Sequence, residues 1–408
     1  MEIPKEDILK VIDEIGWSKG PWTEHVWRMV VNGILDFRIN DLISGFCDAH
    51  IHIDRCFTYS QVFFPQGVYL SEIADSPLSV KQDLIGELHV GIAYSPDSLR
   101  ERMIKQVERL LRVGTREVWV VTDTTPDIEL VAFDEMNKIK KEYSDRLDIK
   151  VACYPVFGLK NPLIQRDRLD ILERAAETAD FIVGLPEKDE AEDRIGFKGH
   201  VNILLDLGYK CKKEVHFHVD QGNSALQKES FRVIECLEGM VPEKKIWFTG
   251  YERPRLWLVH VISPSCYEAD EFNRLLKLLV KYNIGVICCP SAAISMREMR
   301  SEKSPIHNSI ARILEMLRAG VRVKFGTDNV NDMFVPSGTG LVIDEVQILS
   351  NIIRNYSPHI FAKLAMGIQL DNGDREIIAR ALHEKNKAWN RHNELISENY
   401  NCKSPFDF

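Results

Sequence analysis

Short apolar runs alternate along the chain with longer segments in which apolar residues recur every three or four positions. The longer pattern, as in residues 98–113, places the apolar side chains on one face of a helix. The short runs predict eight strands, at residues 45–52, 117–123, 148–155, 180–185, 214–220, 256–262, 284–289 and 321–327. Alternating strands and helices form a parallel sheet covered by helices, and a count of eight favours an α/β fold closed into a (β/α)8 TIM barrel over an open doubly wound sheet.

The segments on either side of the predicted barrel have helical patterns. We expect helices in residues 1–44, the barrel in 45–340 and further helices in 341–408, all within one domain. No linker rich in Pro, Gly or Ser, no low-complexity tract and no internal repeat separates a second domain. The predicted organisation is therefore a single barrel with helical N- and C-terminal extensions.

Composition and charge narrow the class of protein. The chain has 408 residues, of which 45% are hydrophobic and 28% charged, as is typical of a soluble globular protein. The 52 basic and 61 acidic residues give a net charge of -9, and no basic tract offers a phosphate-binding stripe, so we expect no nucleic acid partner. An acidic N-terminus without a long apolar run predicts neither a signal peptide nor a membrane span. Nine cysteines without CxxC spacing, two of them adjacent, indicate reduced thiols and a cytoplasmic protein.

Polar residues concentrate at the carboxyl ends of the predicted strands, the face on which barrel enzymes build their sites. They are His50 and His52 on the first strand, His216 and His218 on the fifth, His260 on the sixth and Asp328 on the eighth. Residues two apart on a strand point to the same side, so His50 and His52 can share one metal ion. Several imidazoles with one carboxylate suit a divalent ion with an open position for water. We expect one ion, Zn²⁺ or alternatively Fe²⁺.

These motifs resemble those of the amidohydrolase superfamily, within it the cytosine deaminase-like group that includes N-isopropylammelide amidohydrolase. The resemblance runs from about residue 45 to residue 340, and it is carried by residues 44–54, 183–186, 215–220, His260 and 325–338. It implies that a metal-bound hydroxide attacks a ring carbon that bears an amine. It also implies metal ligation by His50, His52, one histidine of the fifth strand and Asp328. His260 would polarise the water, and Asp328 would also transfer a proton.

The fifth strand leaves its ligand open, because His216 and His218 both face one side. We prefer His218, since residues 218–221 align with the His-Cys-Asp-Glu pattern of cytosine deaminase, and keep His216 as the alternative ligand or a substrate-binding residue. Gln221 replaces the proton-transferring glutamate of that pattern, and an amide cannot accept and return a proton as a carboxylate does. The acid and base work would then fall to Asp328 and His260, with Gln221 as a further candidate catalytic residue.

Other departures from the resemblance concern the substrate and the accessory parts of the fold. Asn329, which resembles the ammelide enzyme, and Val156, in place of the usual glutamine after the third strand, are expected substrate-binding residues. Arg55 lies at the expected mouth of the site, where a guanidinium can hold a carboxylate or a ring oxygen. The helical pattern of residues 377–398 replaces the strands of the β-sandwich common in relatives. Lys160 does not lie on the fourth strand, which favours one metal ion over a lysine-bridged pair.

The predicted function is hydrolytic deamination of a planar nitrogen heterocycle, such as a pyrimidine, triazine or pterin. An alternative within the superfamily is hydrolysis of a cyclic amide or release of an alkylamine. An alternative of another class is a non-catalytic barrel that only binds a ligand. The expected partner is a small heterocyclic substrate, and self-association into a symmetric homo-oligomer is left open.

Overall fold

Eight parallel strands form the centre of the protein. The computed structural model describes residues 45–74, 76–222, 224–295, 310–355 and 357–400. The strands are β1 (Phe46–Ile51), β2 (Thr115–Asp123), β3 (Asp148–Tyr154), β4 (Phe181–Gly184), β5 (Glu214–Val219), β6 (Leu256–His260), β7 (Gly285–Cys288) and β8 (Val323–Phe325). Each strand pairs in parallel with the next along the chain, from β1 to β8.

A short parallel pairing between the first and last strands closes the sheet. The backbone N–H of Asp328 donates to the carbonyl of His50, and the N–H of His52 donates to the carbonyl of Asp328, both at 2.8 Å. The predicted (β/α)8 barrel is thus confirmed. The same hydrogen bonds bring the ends of β1 and β8, and the polar residues on them, next to one another.

Helices cover the outside of the barrel. They are α1 (Leu70–Ala74), α2 (Leu78–Asp83), α3 (Ile85–Val90), α4 (Pro96–Arg112), α5 (Val131–Glu142), α6 (Arg166–Thr178), α7 (Gly196–Cys211), α8 (Glu229–Gly239), α9 (Pro242–Thr249), α10 (Ala269–Lys281), α11 (Pro290–Ile294), α12 (Ile313–Ala319), α13 (Val342–Ile353), α14 (Pro358–Ala365) and α15 (Asn372–Tyr400). α4 and α9 begin with proline, whose missing N–H and fixed φ suit a first helical position. In α10 the buried residues Phe272, Leu275, Leu276 and Leu279 recur every three or four positions, as packing of one helix face on the sheet requires.

The apolar core fills both the barrel interior and the layer between strands and helices. β7 begins at Gly285, where a Cβ would lie 2.3 Å from the ring of Trp257, so only glycine admits this indole into the barrel. Four of the eight strands, β1, β4, β6 and β7, are buried along their whole length, as expected of a parallel sheet with covered faces. This packing holds the carboxyl ends of the strands in fixed positions.

The chain continues as helices after the barrel, as predicted from residue 341 onward, and every strand within the described residues belongs to the barrel. The predicted N-terminal helices of residues 1–44 lie outside the described residues. None of the described helices is both long and apolar enough to cross a membrane. The cysteines among the described residues are free thiols, as predicted.

Candidate metal centre and substrate cavity

Four histidines and one aspartate from four strands meet at the carboxyl end of the barrel. The Nε2 atoms of His50 and His218 lie 2.9 Å apart. Asp328 places Oδ1 3.3 Å from Nε2 of His52 and 3.7 Å from Nε2 of His50, and it places Oδ2 3.8 Å from Nε2 of His260. The site predicted from four separate segments of the sequence is therefore one cluster.

Burial sets the protonation of these histidines. It lowers the pKa of His50, His52 and His218 well below the usual value, and neighbouring positive charges lower it further. Burial also lowers the pKa of His260 to about 3. All four imidazoles are thus neutral at neutral pH. A neutral imidazole keeps a lone pair available for a metal ion.

The donor set fits one divalent ion. The ligand atoms of His50, His52 and His218 lie within 4.8 Å of one another, as do those of His260, Cys289 and Asp328. Cys289 does not line the cavity, whereas His260 and Asp328 do. Apart from Cys289, the two groups supply four imidazole nitrogens and one carboxylate oxygen, and mononuclear Zn²⁺ or Fe²⁺ accepts donors of both kinds.

A buried carboxylate beneath the cluster locks β1 to β8. Asp48 accepts hydrogen bonds from the hydroxyl of Thr327 at 2.6 Å and from the backbone N–H groups of Thr327 and His50, both at 3.2 Å. The neighbouring position 326 admits only glycine, because a Cβ there would lie 2.6 Å from the Cβ of His50. These contacts fix the relative positions of His50 and Asp328.

Four residues at the strand ends next to the site have a rare backbone conformation. Asp220, His260, Val261 and Asp328, at or just after the ends of β5, β6 and β8, have φ values of 56°, 78°, 51° and 59°. Left-handed backbone at non-glycine residues costs roughly 1–2 kcal/mol each and persists only where the surrounding structure imposes it. The four left-handed residues lie together at the strand ends, which indicates that packing around the site imposes this backbone conformation.

A cavity of about 610 Å³, counting its open mouth, lies above the cluster. It is lined by His52, Arg55, Ser76, Leu78, Lys81, Gln82, Ile85, Tyr154, Val156, His218, Gln221, His260, Ala292, Ser295, Asp328, Asn329, Phe334 and Val335. The expected substrate residues Arg55, Val156 and Asn329 are therefore all in its wall, together with Gln221.

His216 lies outside both the cluster of ligand atoms and the cavity wall. Its ring lies 4.5 Å from the ring of Phe181, 5.4 Å from Trp119 and 6.2 Å from Trp257. Together these four rings form an aromatic layer inside the barrel. His216 precedes His218 by two residues on β5, so it lies one layer deeper on the same face. The histidine of β5 that faces the other imidazoles is thus His218.

Gln221, which stands where cytosine deaminase has glutamate, has a carboxylate behind it. The Nε2 amides of Gln221 and Gln82 both donate to Oε1 of Glu187, at 3.3 Å each. The two carbonyl oxygens therefore point away from Glu187, while both glutamines line the cavity. Burial raises the pKa of Glu187, which is not itself among the lining residues.

Sequence reasoning missed several residues of the cavity wall. The ring of Tyr154 lies 5.1 Å from His218 and 5.6 Å from His52, and Phe334 forms another aromatic part of the wall. Tyr154 ends β3 directly before Pro155, so its place at a strand end was the available signal. Lys81 and Gln82 were not missed in the same way, because residues 81–89 after β1 resemble the segment that covers the pocket in cytosine deaminase relatives.

A buried network of charged residues supports the wall beside β1 and β2. His89 contacts Asp127 through Nδ1 at 2.6 Å and Asp123 through Nε2 at 3.1 Å. Burial lowers the pKa of His89, but the hydrogen bonds and charges of the two aspartates outweigh burial and raise it to about 9. The Nη1 of Arg55 also contacts Asp123, at 3.5 Å.

Comparison with known proteins adds names to this geometry. No protein-family model matches the chain. An uncharacterized protein of Haemophilus influenzae is 29% identical over 278 residues, which cover 67% of this chain and 91% of that protein. The N-isopropylammelide isopropyl amidohydrolase of Pseudomonas sp. is 20% identical over 315 residues, covering 75% of this chain and 67% of that enzyme.

Among solved structures, the chain is similar to 5-methylcytosine deaminase from Klebsiella pneumoniae liganded with 5-fluorocytosine. The TM-score is 0.64 at 22% identity, over 76% of this chain and 69% of that chain. The named proteins are hydrolases of carbon–nitrogen bonds, one an amidohydrolase and one a deaminase. The resemblance predicted from the motifs is therefore confirmed, and so is the barrel fold.

Proposed function

We propose that this protein is a metal-dependent hydrolase that removes an amine from a planar nitrogen heterocycle. The observation that carries the proposal is the convergence of His50, His52, His218 and Asp328 at the base of the cavity. The similarity to a deaminase and an amidohydrolase supports the same reaction class.

In this proposal His50, His52, His218 and Asp328 hold one Zn²⁺ or Fe²⁺. When bound, such an ion lowers the pKa of a water molecule toward neutrality and so supplies a nucleophile. The chain contributes buried, neutral imidazoles. The backbone hydrogen bonds between the ends of β1 and β8 fix the positions of the donors. His52, His218 and Asp328 line the cavity, where a substrate ring can approach.

Asp328 and His260 would carry the proton. A carboxylate next to the attacking water can accept a proton and later return it. The attacking water gives a proton to Asp328, and this proton passes to the exocyclic nitrogen as the carbon–nitrogen bond breaks. His260, 3.8 Å from Asp328 and kept neutral by burial, orients the water.

The cavity wall suits a flat ring. Tyr154 and Phe334 offer aromatic surfaces, and Val156 adds an apolar contact where relatives use an amide. Gln221 orients a substrate group through its amide but transfers no proton. Asn329 donates through Nδ2 to Asp332 at 2.7 Å, which turns its amide oxygen toward other partners.

Elemental analysis of the purified protein, coupled to an ammonia-release screen of pyrimidines, triazines and pterins, tests the proposal. We expect about one Zn or Fe per chain, as a mononuclear site requires, and ammonia from at least one ring class. The matched control is Asp328→Asn, which should release none. Absence of metal, or ammonia release that is equal in the control, would contradict the proposal.

Release of an alkylamine is the second candidate reaction. It is favoured by similarity to an N-isopropylammelide isopropyl amidohydrolase and by Gln221 in the place of a glutamate. Including N-alkylamino triazines in the screen, with detection of the free alkylamine, distinguishes it from deamination. Stoichiometric metal without any turnover would favour a barrel that only binds its ligand.

A further inference from the structure

The cavity wall contains a buried arginine whose hydrogen-bonding capacity the protein does not fill. Arg55 is 3% exposed and lines the cavity. Its guanidinium makes one hydrogen bond among the described residues, from Nη1 to Asp123 at 3.5 Å. Its Nε is buried and has no hydrogen-bond partner in the described part of the chain. A guanidinium carries five N–H donors in a rigid fork, so most of them remain unused.

The one hydrogen-bond acceptor of the Arg55 side chain among the described residues is already engaged, and the guanidinium carbon also lies 5.5 Å from the centroid of the Phe334 ring. The same oxygen of Asp123, Oδ2, contacts Nε2 of His89 at 3.1 Å and accepts from the hydroxyl of Tyr94 at 3.3 Å. The contact to Arg55 is the longest of the three and lies at the outer limit of a hydrogen bond. Asp123 therefore positions Arg55 but leaves most N–H donors of its guanidinium without an acceptor.

The charges in the wall favour an anionic ligand. Among the described residues that line the cavity, Arg55 and Lys81 are basic, and Asp328 is the one carboxylate. Asp328 belongs to the metal donor set, and a bound divalent ion would add further positive charge. A buried charge without full hydrogen bonding is destabilising, so a ligand of opposite charge gains by entering. A carboxylate matches the guanidinium fork with two parallel hydrogen bonds.

We propose that the substrate ring of this site carries a carboxylate, which binds Arg55. This inference rests on the proposed function and names the substrate class. Arg55 follows β1, whereas Gln221 follows β5, four strands away and thus on the opposite side of an eight-stranded barrel. The amide of Gln221 donates to Glu187, which leaves its carbonyl oxygen to accept from an N–H of the substrate. The ring is therefore oriented, with its carboxylate edge at β1 and a donor edge at β5.

Matched ligands that differ only in charge test this assignment. Full-length protein as purified is titrated by calorimetry with aminopyrimidine carboxylates and with the corresponding carboxamides, the substituent being placed at each free ring carbon. We expect at least one carboxylate to bind roughly tenfold or more tightly than its carboxamide. In Arg55→Gln this preference should fall to about twofold or less. Arg166→Gln, which removes an exposed arginine of α6, should leave it unchanged.

A second variant covers the case in which Arg55→Gln does not fold. Arg55→Lys keeps the charge but not the fork. We therefore expect it to prefer carboxylate over carboxamide, but less strongly than the wild type does. A wild-type protein that binds every carboxylate no better than its carboxamide would overturn the inference. So would an Arg55→Lys protein with the full wild-type preference.

Ammonia release from the same ligands separates this inference from the proposed function. A carboxylate preference without ammonia or amine from any ligand would contradict the proposed function and leave the inference standing. Ammonia from uncharged rings, with KM unchanged in Arg55→Gln, would support the proposed function and overturn the inference.

Discussion

The two inward-facing histidines of β5 are one side-chain period apart and have different surroundings. His218 lies in the wall of the cavity, with its Nε2 2.9 Å from that of His50. His216 lies one layer deeper among Phe181, Trp119 and Trp257, and its nearest carboxylate oxygen, on Glu214, is 3.9 Å away. Both are completely or almost completely buried. Burial and direction alone therefore do not distinguish a candidate ligand from a core residue.

Unpaired nitrogen atoms do not distinguish them either. Within the described residues, His216 has no hydrogen-bond partner at either ring nitrogen, and Nδ1 of His218 has none. The difference is that several donors converge on one point around His218, whereas aromatic carbon surrounds His216. Convergence of donors on a space open to ligands is what indicates a metal site in this barrel.

The largest expected effect separates these two histidines directly. His218→Ala removes a donor from the cluster, and we expect the purified protein to lose its metal and about four orders of magnitude of activity. His216→Ala should retain about one metal ion per chain, because its ring faces the aromatic layer. Elemental analysis of both variants checks this. Loss of metal in His216→Ala with retention in His218→Ala would reverse the assignment.

The aromatic layer should contribute stability rather than chemistry. Trp257→Ala empties the space that the indole fills next to Gly285, so we expect the free energy of unfolding to fall by about 3–4 kcal/mol. The metal content of the folded variant should not change. Urea denaturation measures the first quantity and elemental analysis the second. A folded Trp257→Ala protein without metal would show that the two layers are coupled.

The network beside the cavity should make stability depend on pH. The pKa of His89 is about 9 in the folded protein, against 6.5 for an ordinary histidine. Because the folded value is raised, the stabilisation is fully present below pH 6.5 and is lost as pH rises through 9. We expect it to amount to roughly 3 kcal/mol. Unfolding free energies of wild type and His89→Gln between pH 6 and 9.5 should converge toward high pH, and parallel curves would contradict this.

The smallest effect is expected at the opposite end of the barrel. Glu117 accepts hydrogen bonds from Lys150 at 2.5 Å and from the indole of Trp119 at 2.6 Å, in a partly exposed position. Glu117→Gln should lower the free energy of unfolding at pH 7 by about 1 kcal/mol or less, since water screens the ion pair. Metal content should be unchanged. A loss as large as that of Trp257→Ala would mean that this pair is more strongly coupled to the core than its exposure indicates.

The fold was predictable because its pattern repeats. Each of the eight predicted strands overlaps an observed strand, and all but the second contain it whole, since short β-branched runs and amphipathic helices alternate throughout. The predicted ends were too long where the site begins. Residues 326 and 327 were assigned to β8, which ends at Phe325, because Asp48 draws Thr327 out of the strand direction and Asp328 adopts a left-handed backbone.

The candidate site was predictable only in part. Motif spacing was enough to single out His50, His52, His260 and Asp328, because strand ends of a barrel share one face. The cavity wall was predicted at Arg55, Val156, Gln221 and Asn329 but not at Tyr154 and Phe334, which come from segments with no common sequence pattern. The carboxylate behind Gln221 was missed for the same reason, as Glu187 belongs to the turn after β4.

By itself the sequence determined the alternation of strands and helices, the closed barrel and the donors at its carboxyl end, since these depend on local periodicity and strand direction. The tertiary structure alone decided which histidine of β5 faces the others and which carboxylate lies behind Gln221. It also decided that Asp123 accepts from only one N–H group of the Arg55 guanidinium. Those properties depend on distances between side chains far apart in the sequence, which packing sets and periodicity does not encode.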